Sequence, residues 1–177
     1  NNKINRINYG TDTKFFDFHT KAKNNIFRII SLRNLEKIYD INILIEAISI
    51  LKNINVIVNV DIFGSGSQEL FLKNLVKEFF LEDVIKFKGG YKYNSLPKLL
   101  HEYDLYVSTS SSDAGLSAST SEAMSSGVTV LTADNSENPF WMDNDCGFLF
   151  KTSSSDDLAI RINEIIMMNQ NQLKESR

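Results

Sequence analysis

Strand-like and helix-like segments alternate along this chain from end to end, and that alternation limits the folds open to it more than any single motif. Residues 27–32 (FRIISL) are a continuous apolar run, suited to a strand covered on both faces. Ile41, Leu44, Ile45, Ile48 and Leu51 follow at helical spacing. Residues 55–63 (NVIVNVDIF) read as a second strand, broken by Gly64-Ser65-Gly66. Phe71, Leu72, Leu75, Val76 and Phe79 form a second helical stripe. A short strand at 84–87 ends at Gly89-Gly90, and Ser95 is placed to cap a helix carrying Leu96, Leu99, Leu100 and Tyr103. Strand 104–108 (DLYVS), a serine-rich loop, a helix holding Glu122 and strand 128–132 (VTVLT) come next. After a polar loop, 147–150 (GFLF) is a brief strand. Leu158, Ile162, Ile165 and Ile166 mark the last helix, with Asp156 and Asp157 suited to its first turn. The polar residues 169–177 are expected to fray.

This spacing means βαβ units, and hence an α/β fold: a doubly wound parallel sheet in a three-layer, Rossmann-like arrangement. Such sheets bind ligands beyond the carboxyl ends of their strands, where every glycine or serine cluster of this chain falls. With 177 residues the chain makes one domain with a single substantial core. A net charge of −3 gives no electrostatic footprint for nucleic acid. The local cations Lys21, Lys23 and Arg28, and Lys86 with Lys88, read as solvated faces. Cys146 is alone, which excludes an internal disulfide and fits a reducing, cytoplasmic setting. No run of 18 apolar residues and no signal-peptide pattern occurs. The opening residues read like the middle of a longer protein.

Residues 108–127 (STSSSDAGLSASTSEAMSSG) are the stretch richest in chemistry. A loop of small residues lets backbone N–H groups approach an anion, and the helix N-terminus adds about half a positive charge. Glu122 has two readings. It can close a capping box with Ser119, or its carboxylate can accept two hydrogen bonds from a vicinal diol such as a ribose. Gly64-Ser65-Gly66 lacks the third glycine of a dinucleotide fingerprint and also suits a tight strand–helix turn. Arg33 and Lys37 lie beyond the first strand, where two cations could hold a diphosphate or simply be surface residues. Asp143-Asn144-Asp145 has a metal-binding form but sits in a polar loop that turn chemistry explains better. His19 and His101 have no partners at ligand spacing, and no nucleophile–base–acid set stands out.

Taken in order, these segments resemble the C-terminal, donor-binding domain of the family 4 (group 1) retaining glycosyltransferases, one half of a B-type glycosyltransferase fold. Asn8-Tyr9-Gly10-Thr11-Asp12 with Phe16 is similar to the family's leading N-G-V-D and phenylalanine. IISLRN is similar to the strand bearing a phosphate-binding arginine. IFGSGSQ, VIKFKGG and DLYVSTSSS follow as its next strand ends. SEAMSSGVTVLTAD resembles E-A-M-A-S-G-x-P-V-V-A-T-D, and GFLF resembles G-x-L-V.

The resemblance implies a nucleotide-sugar binding domain over residues 1–177, with an N-terminal acceptor domain absent from this chain. Glu122 would be the second glutamate of the family's E-x7-E motif and would bind the ribose hydroxyls. Backbone amides around Gly115, Leu116, Ser117 and Ala118 would hold the distal phosphate. Arg33, helped by Lys37, would neutralise the departing diphosphate. Gly64, Gly66 and Gly90 would border the donor, and Tyr91 would meet the nucleobase. Ala114 stands where the family has its first glutamate, with Asp113 one residue earlier as its substitute. Tyr39 stands where a second basic residue is usual. Ser136-Glu137 replaces a Gly-Gly pair, with Asn138 and Trp141 forming an N-x-x-W pattern beside the donor.

The implied activity is transfer of a sugar from a nucleotide diphosphate sugar, with retention and without a metal or other cofactor. The acceptor would be a glycan or lipid-linked sugar held by the missing domain, which brings the full protein to the inner membrane face. Two other readings stay open. One is a non-catalytic binding module of the same fold, and the other is a nucleotide-sugar epimerase.

Overall fold

The computed structural model describes residues 10–18, 26–113, 115–142 and 146–175, with side chains up to residue 168. Asn8, Tyr9, His19, Lys21, Lys23, Ala114 and the Asp143-Asn144-Asp145 stretch lie outside the described residues. The strands are β1 (Phe27–Ser31), β2 (Val58–Phe63), β3 (Ile85–Gly89), β4 (Leu105–Ser108), β5 (Thr129–Ala133) and β6 (Phe148–Phe150). They form one sheet in the order β3-β2-β1-β4-β5-β6, with every neighbouring pair parallel. The helices are α1 (Ile41–Asn53), α2 (Glu69–Glu78), α3 (Leu96–Leu100), α4 (Ala118–Ser125), α5 (Asn138–Trp141) and α6 (Ser155–Glu175). This is the doubly wound α/β architecture that the alternation implied.

Both faces of the sheet are covered, which is why its central strands carry no polar alternation. Ile29 and Ile30 are each fully buried yet enter different cores. On one face Ile29, Leu105 and Leu131 pack with Leu44 of α1, Leu72 of α2 and Ile162 of α6. On the other, Ile30, Tyr106 and Val130 meet Leu96 and Leu100 of α3 and Ala123 of α4. Burial dominates local preference in α1. That helix starts at Asp40 in a left-handed conformation with no side-chain cap, a defect worth about 1 kcal/mol. Against it, Ile41, Leu44, Ile45, Ile48 and Leu51 are buried, each contributing roughly 1.5–3 kcal/mol.

Three boundaries differ from the sequence reading. β2 begins at Val58 rather than at residue 55, because Asn55 takes a left-handed φ of 60° in the turn that ends α1. Ser95 sits at the start of α3, but its hydroxyl donates to the Lys92 carbonyl at 2.8 Å instead of capping the helix. The expected fraying after residue 168 is replaced by helix, since α6 runs on to Glu175. Residues 155–175 contain no glycine or proline, and Gln, Leu, Lys and Glu are good helix formers. Among the described residues no helix is long and apolar enough to cross a membrane.

The chain builds β1, β2 and β3 outward, then returns to lay β4 on the other side of β1. That reversal opens a crevice between the carboxyl ends of β1 and β4, where open α/β sheets hold ligands. The Gly64-Ser65-Gly66 turn shapes its wall. Leu35 N–H donates to the Ser65 carbonyl at 3.0 Å, Gln68 N–H to the Leu35 carbonyl at 2.8 Å, and Gly64 N–H to the Gly89 carbonyl at 2.8 Å. A Cβ at Gly64, whose φ is +115°, would lie 2.5 Å from the Arg33 carbonyl oxygen. Gly64→Ala is therefore expected to destabilise the fold by about 1–3 kcal/mol, read as a lower urea midpoint with an unchanged slope. An unchanged midpoint would show that the loop after β1 shifts without cost.

Candidate functional site

Arg33 lies two residues beyond β1 and is 9% exposed. Its guanidinium packs 4.6 Å above the ring of Tyr39, and Nη2 forms an ion pair with Asp113 from the loop after β4. Nη1 reaches Ser119 Oγ at 3.5 Å, and Ser119 Oγ also bonds the Tyr106 hydroxyl at 2.8 Å. Nε is buried with no hydrogen-bond partner. Lys37 stands apart from this cluster, exposed on the 3-10 turn Lys37–Tyr39. The side chain stacked on Arg33 is thus the Tyr39 ring, so the second cation expected beside it is replaced by an aromatic face.

Glu122 projects from α4 and is 5% exposed. The capping-box reading fails, because the cap lies two residues before Ser119. Ser117 is the cap, its Oγ accepting from Thr120 N–H at 3.3 Å, and Glu122 lies a turn inside. Burial raises the Glu122 carboxyl above its usual range, and a hydrogen bond from Tyr93 partly offsets this. Tyr93 is held by aromatic packing, with its ring stacked on Phe15 at 5.5 Å and edge-on to Phe16 at 5.8 Å. Tyr91, partly exposed at 37%, meets Phe63 edge-to-face at 6.0 Å. Its phenol is raised first by desolvation and then by the nearby Glu122 charge, while Arg33 pulls it the other way. Tyr91 therefore lies within electrostatic reach of both Glu122 and Arg33.

The remaining predicted residues frame it. Helix geometry leaves the N–H groups of Ala118 and Ser119 without intrahelical acceptors. Gly115 has a φ of +88°, a left-handed conformation that side chains rarely adopt, and it begins the turn into α4. Leu116 packs against the second core and fixes that turn. Gly89, the last residue of β3, and not Gly90 is the glycine at positive φ here, and open space surrounds Gly90. Asn138 is buried, its amide donating to the Ala133 carbonyl at 2.9 Å, which ties α5 to the end of β5. Gly66 sits against the Leu35 carbonyl and the Glu36 side chain, and Ser67 binds Glu36 through N–H at 2.9 Å and Oγ at 2.5 Å.

Two residues of the site were not picked out from the sequence. Tyr106 is a hydroxyl-bearing ring inside an otherwise apolar strand, a signal that was available. Tyr93 carried none, because its partner is 29 residues away on another element. Among the described residues, no three His, Cys, Asp or Glu side chains gather in a way that could hold a metal.

A parallel sheet with a buried arginine after β1 and a buried glutamate on the helix after β4 defines a polar crevice at the switch point of a doubly wound domain. The family described as "Glycosyl transferases group 1" matches residues 12–176, and the chain belongs to it. WcaL of Escherichia coli (strain K12), named for colanic acid biosynthesis, is 27% identical over 167 residues. The match covers 91% of this chain and 41% of WcaL, so the chain spans less than half the length of that relative. Anabaena HepE, solved in complex with UDP-glucose, shares the fold with a TM-score of 0.78 and 23% identity, over 91% of this chain and 47% of that one. The C-terminal domain of the group 1 protein LpcC from Francisella tularensis superposes with a TM-score of 0.74 and 24% identity, over 89% of this chain and 88% of that one. The fold is accordingly that of the C-terminal domain of B-type glycosyltransferases.

Proposed function

We propose that this chain is the donor-binding half of a retaining glycosyltransferase that uses a nucleoside diphosphate sugar. The observation that carries the reading is the joint burial of Arg33 and Glu122 at the switch point, with the N-terminus of α4 beside them. A diphosphate needs a fixed cation and free N–H groups, and a ribose needs a carboxylate that can accept from two hydroxyls. Both sets face one crevice. HepE, a structural neighbour solved with UDP-glucose, supports the same donor class.

In this reading the bond between the anomeric carbon and the diphosphate oxygen breaks, and its electron pair stays on that oxygen. Arg33 and the Ala118 and Ser119 N–H groups stabilise the charge that develops there, and once the donor is bound they need no further reorganisation. Glu122 and Tyr91 hold the nucleoside so that the anomeric carbon faces the acceptor. The acceptor hydroxyl, from a glycan or lipid-linked sugar, enters on the face the diphosphate leaves; its oxygen bonds the anomeric carbon and its proton passes to the departing diphosphate oxygen. It is presented by an upstream half of the full protein at the inner membrane face.

Calorimetric titration of the folded protein with UDP, GDP and ADP tests the donor site. Binding of at least one, weakened by substitution of Glu122, is the expected result. No heat from any of the three would remove the proposal.

A further inference from the structure

Resting on that reading, we infer that Asp113 is an internal anion that occupies Arg33 in the unliganded protein, and that the diphosphate of the donor must displace it. Arg33 is buried under Tyr39, and among the described residues its charge is met by one group, the Asp113 carboxylate, whose side chain is 8% exposed. The pair is neutral as it stands. A diphosphate brings two or more negative charges of its own. Adding it while Asp113 kept its hold would crowd several like charges around one guanidinium. With the carboxylate rotated away, Arg33 offers Nη2 and the buried Nε, which has no partner in the unliganded protein.

The exchange needs no refolding of the loop. Ser111 is fixed by its N–H at 2.9 Å and its Oγ at 3.0 Å to the Ile38 carbonyl. Asn135 Nδ2 holds the Ser110 carbonyl at 2.5 Å, and Asp113 N–H donates to Ser136 Oγ at 3.2 Å. The backbone leading into Asp113 is thus pinned, and turning its short side chain is enough to free Arg33. Asp113 therefore lowers the apparent affinity for the diphosphate by the fraction of molecules in which Arg33 is engaged. This differs from a carboxylate that binds the donor's sugar hydroxyls, which would act only on the sugar-bearing compound.

The test is titration of the full-length protein and its Asp113→Asn variant with UDP and with inorganic pyrophosphate, with melting curves alongside. The variant is expected to bind both about tenfold more tightly, and UDP should raise its melting temperature more than that of the parent. Glu122→Gln should weaken UDP and leave pyrophosphate unchanged. If the parent binds UDP and Asp113→Asn binds it equally or less well, the inference falls while the donor site stands. If neither protein binds any nucleotide or pyrophosphate, the donor-site reading falls and takes the inference with it. Should Asp113→Asn fail to fold, Ser136→Ala loosens the Asp113 backbone without stranding a charge. An increase of about two- to threefold in pyrophosphate affinity supports the exchange, and no increase overturns it.

Discussion

Glu122→Gln is expected to weaken binding of the nucleoside diphosphate by roughly 10- to 100-fold, the loss that follows when hydrogen bonds to a charged acceptor become neutral ones. The pH dependence should separate this role from a packing role. Burial raises the Glu122 carboxyl in the folded protein, while ribose binding draws on the ionised form. Affinity should therefore be full above the raised value and fall as pH drops through it, at a higher pH than an ordinary glutamate would give. The glutamine variant should show no such limb. Stability has the opposite sign. The folded state holds the Glu122 proton more tightly than the unfolded chain, so its burial costs stability that grows as pH rises through that window. The variant should be no less stable than the parent at neutral pH, as expected where a site is built for binding at the expense of the fold. A glutamine variant that binds UDP normally at all pH values would return Glu122 to the helix.

Arg33→Gln is expected to cost about 3–5 kcal/mol of stability, because it leaves the Asp113 carboxylate buried and unpaired. For a domain of this size that is a fall of about 6–20 °C in melting temperature. Both side chains are about nine-tenths buried, so solvent screening takes little from the effect. The double variant with Asp113→Asn should recover most of the loss, since neither charge is then stranded. Nucleotide binding should not recover with it, because the cation that meets the diphosphate is gone. Equal stabilities for the single and double variants would mean that the pair contributes nothing specific.

The two readings of Glu122 show where local pattern stops. Serine is a good cap at either Ser117 or Ser119, and the choice between them is a shift of two residues in the helix start. The structure chooses Ser117, because Ser119 is taken up by Tyr106 and Arg33. The same limit explains α6, where polar residues suggested an end but nothing stops the helix before Glu175. Lys37 illustrates it from the other side. It is four residues from Arg33 in sequence, yet the intervening turn leaves it exposed and sets Tyr39 against the guanidinium.

What the sequence by itself determined is the architecture and the general place of the site. Apolar runs such as residues 27–32 and stripes such as Leu44, Ile48 and Leu51 are dictated by side-chain direction within one element. The ends of parallel strands are in turn where small residues and helix starts must meet. Only the tertiary structure decided which groups touch. Arg33 meets Asp113 across 80 residues of chain, and Tyr93 meets Glu122 from a different element. Those contacts depend on β4 returning to the side of β1, and no local periodicity carries information about a neighbour supplied by strand order.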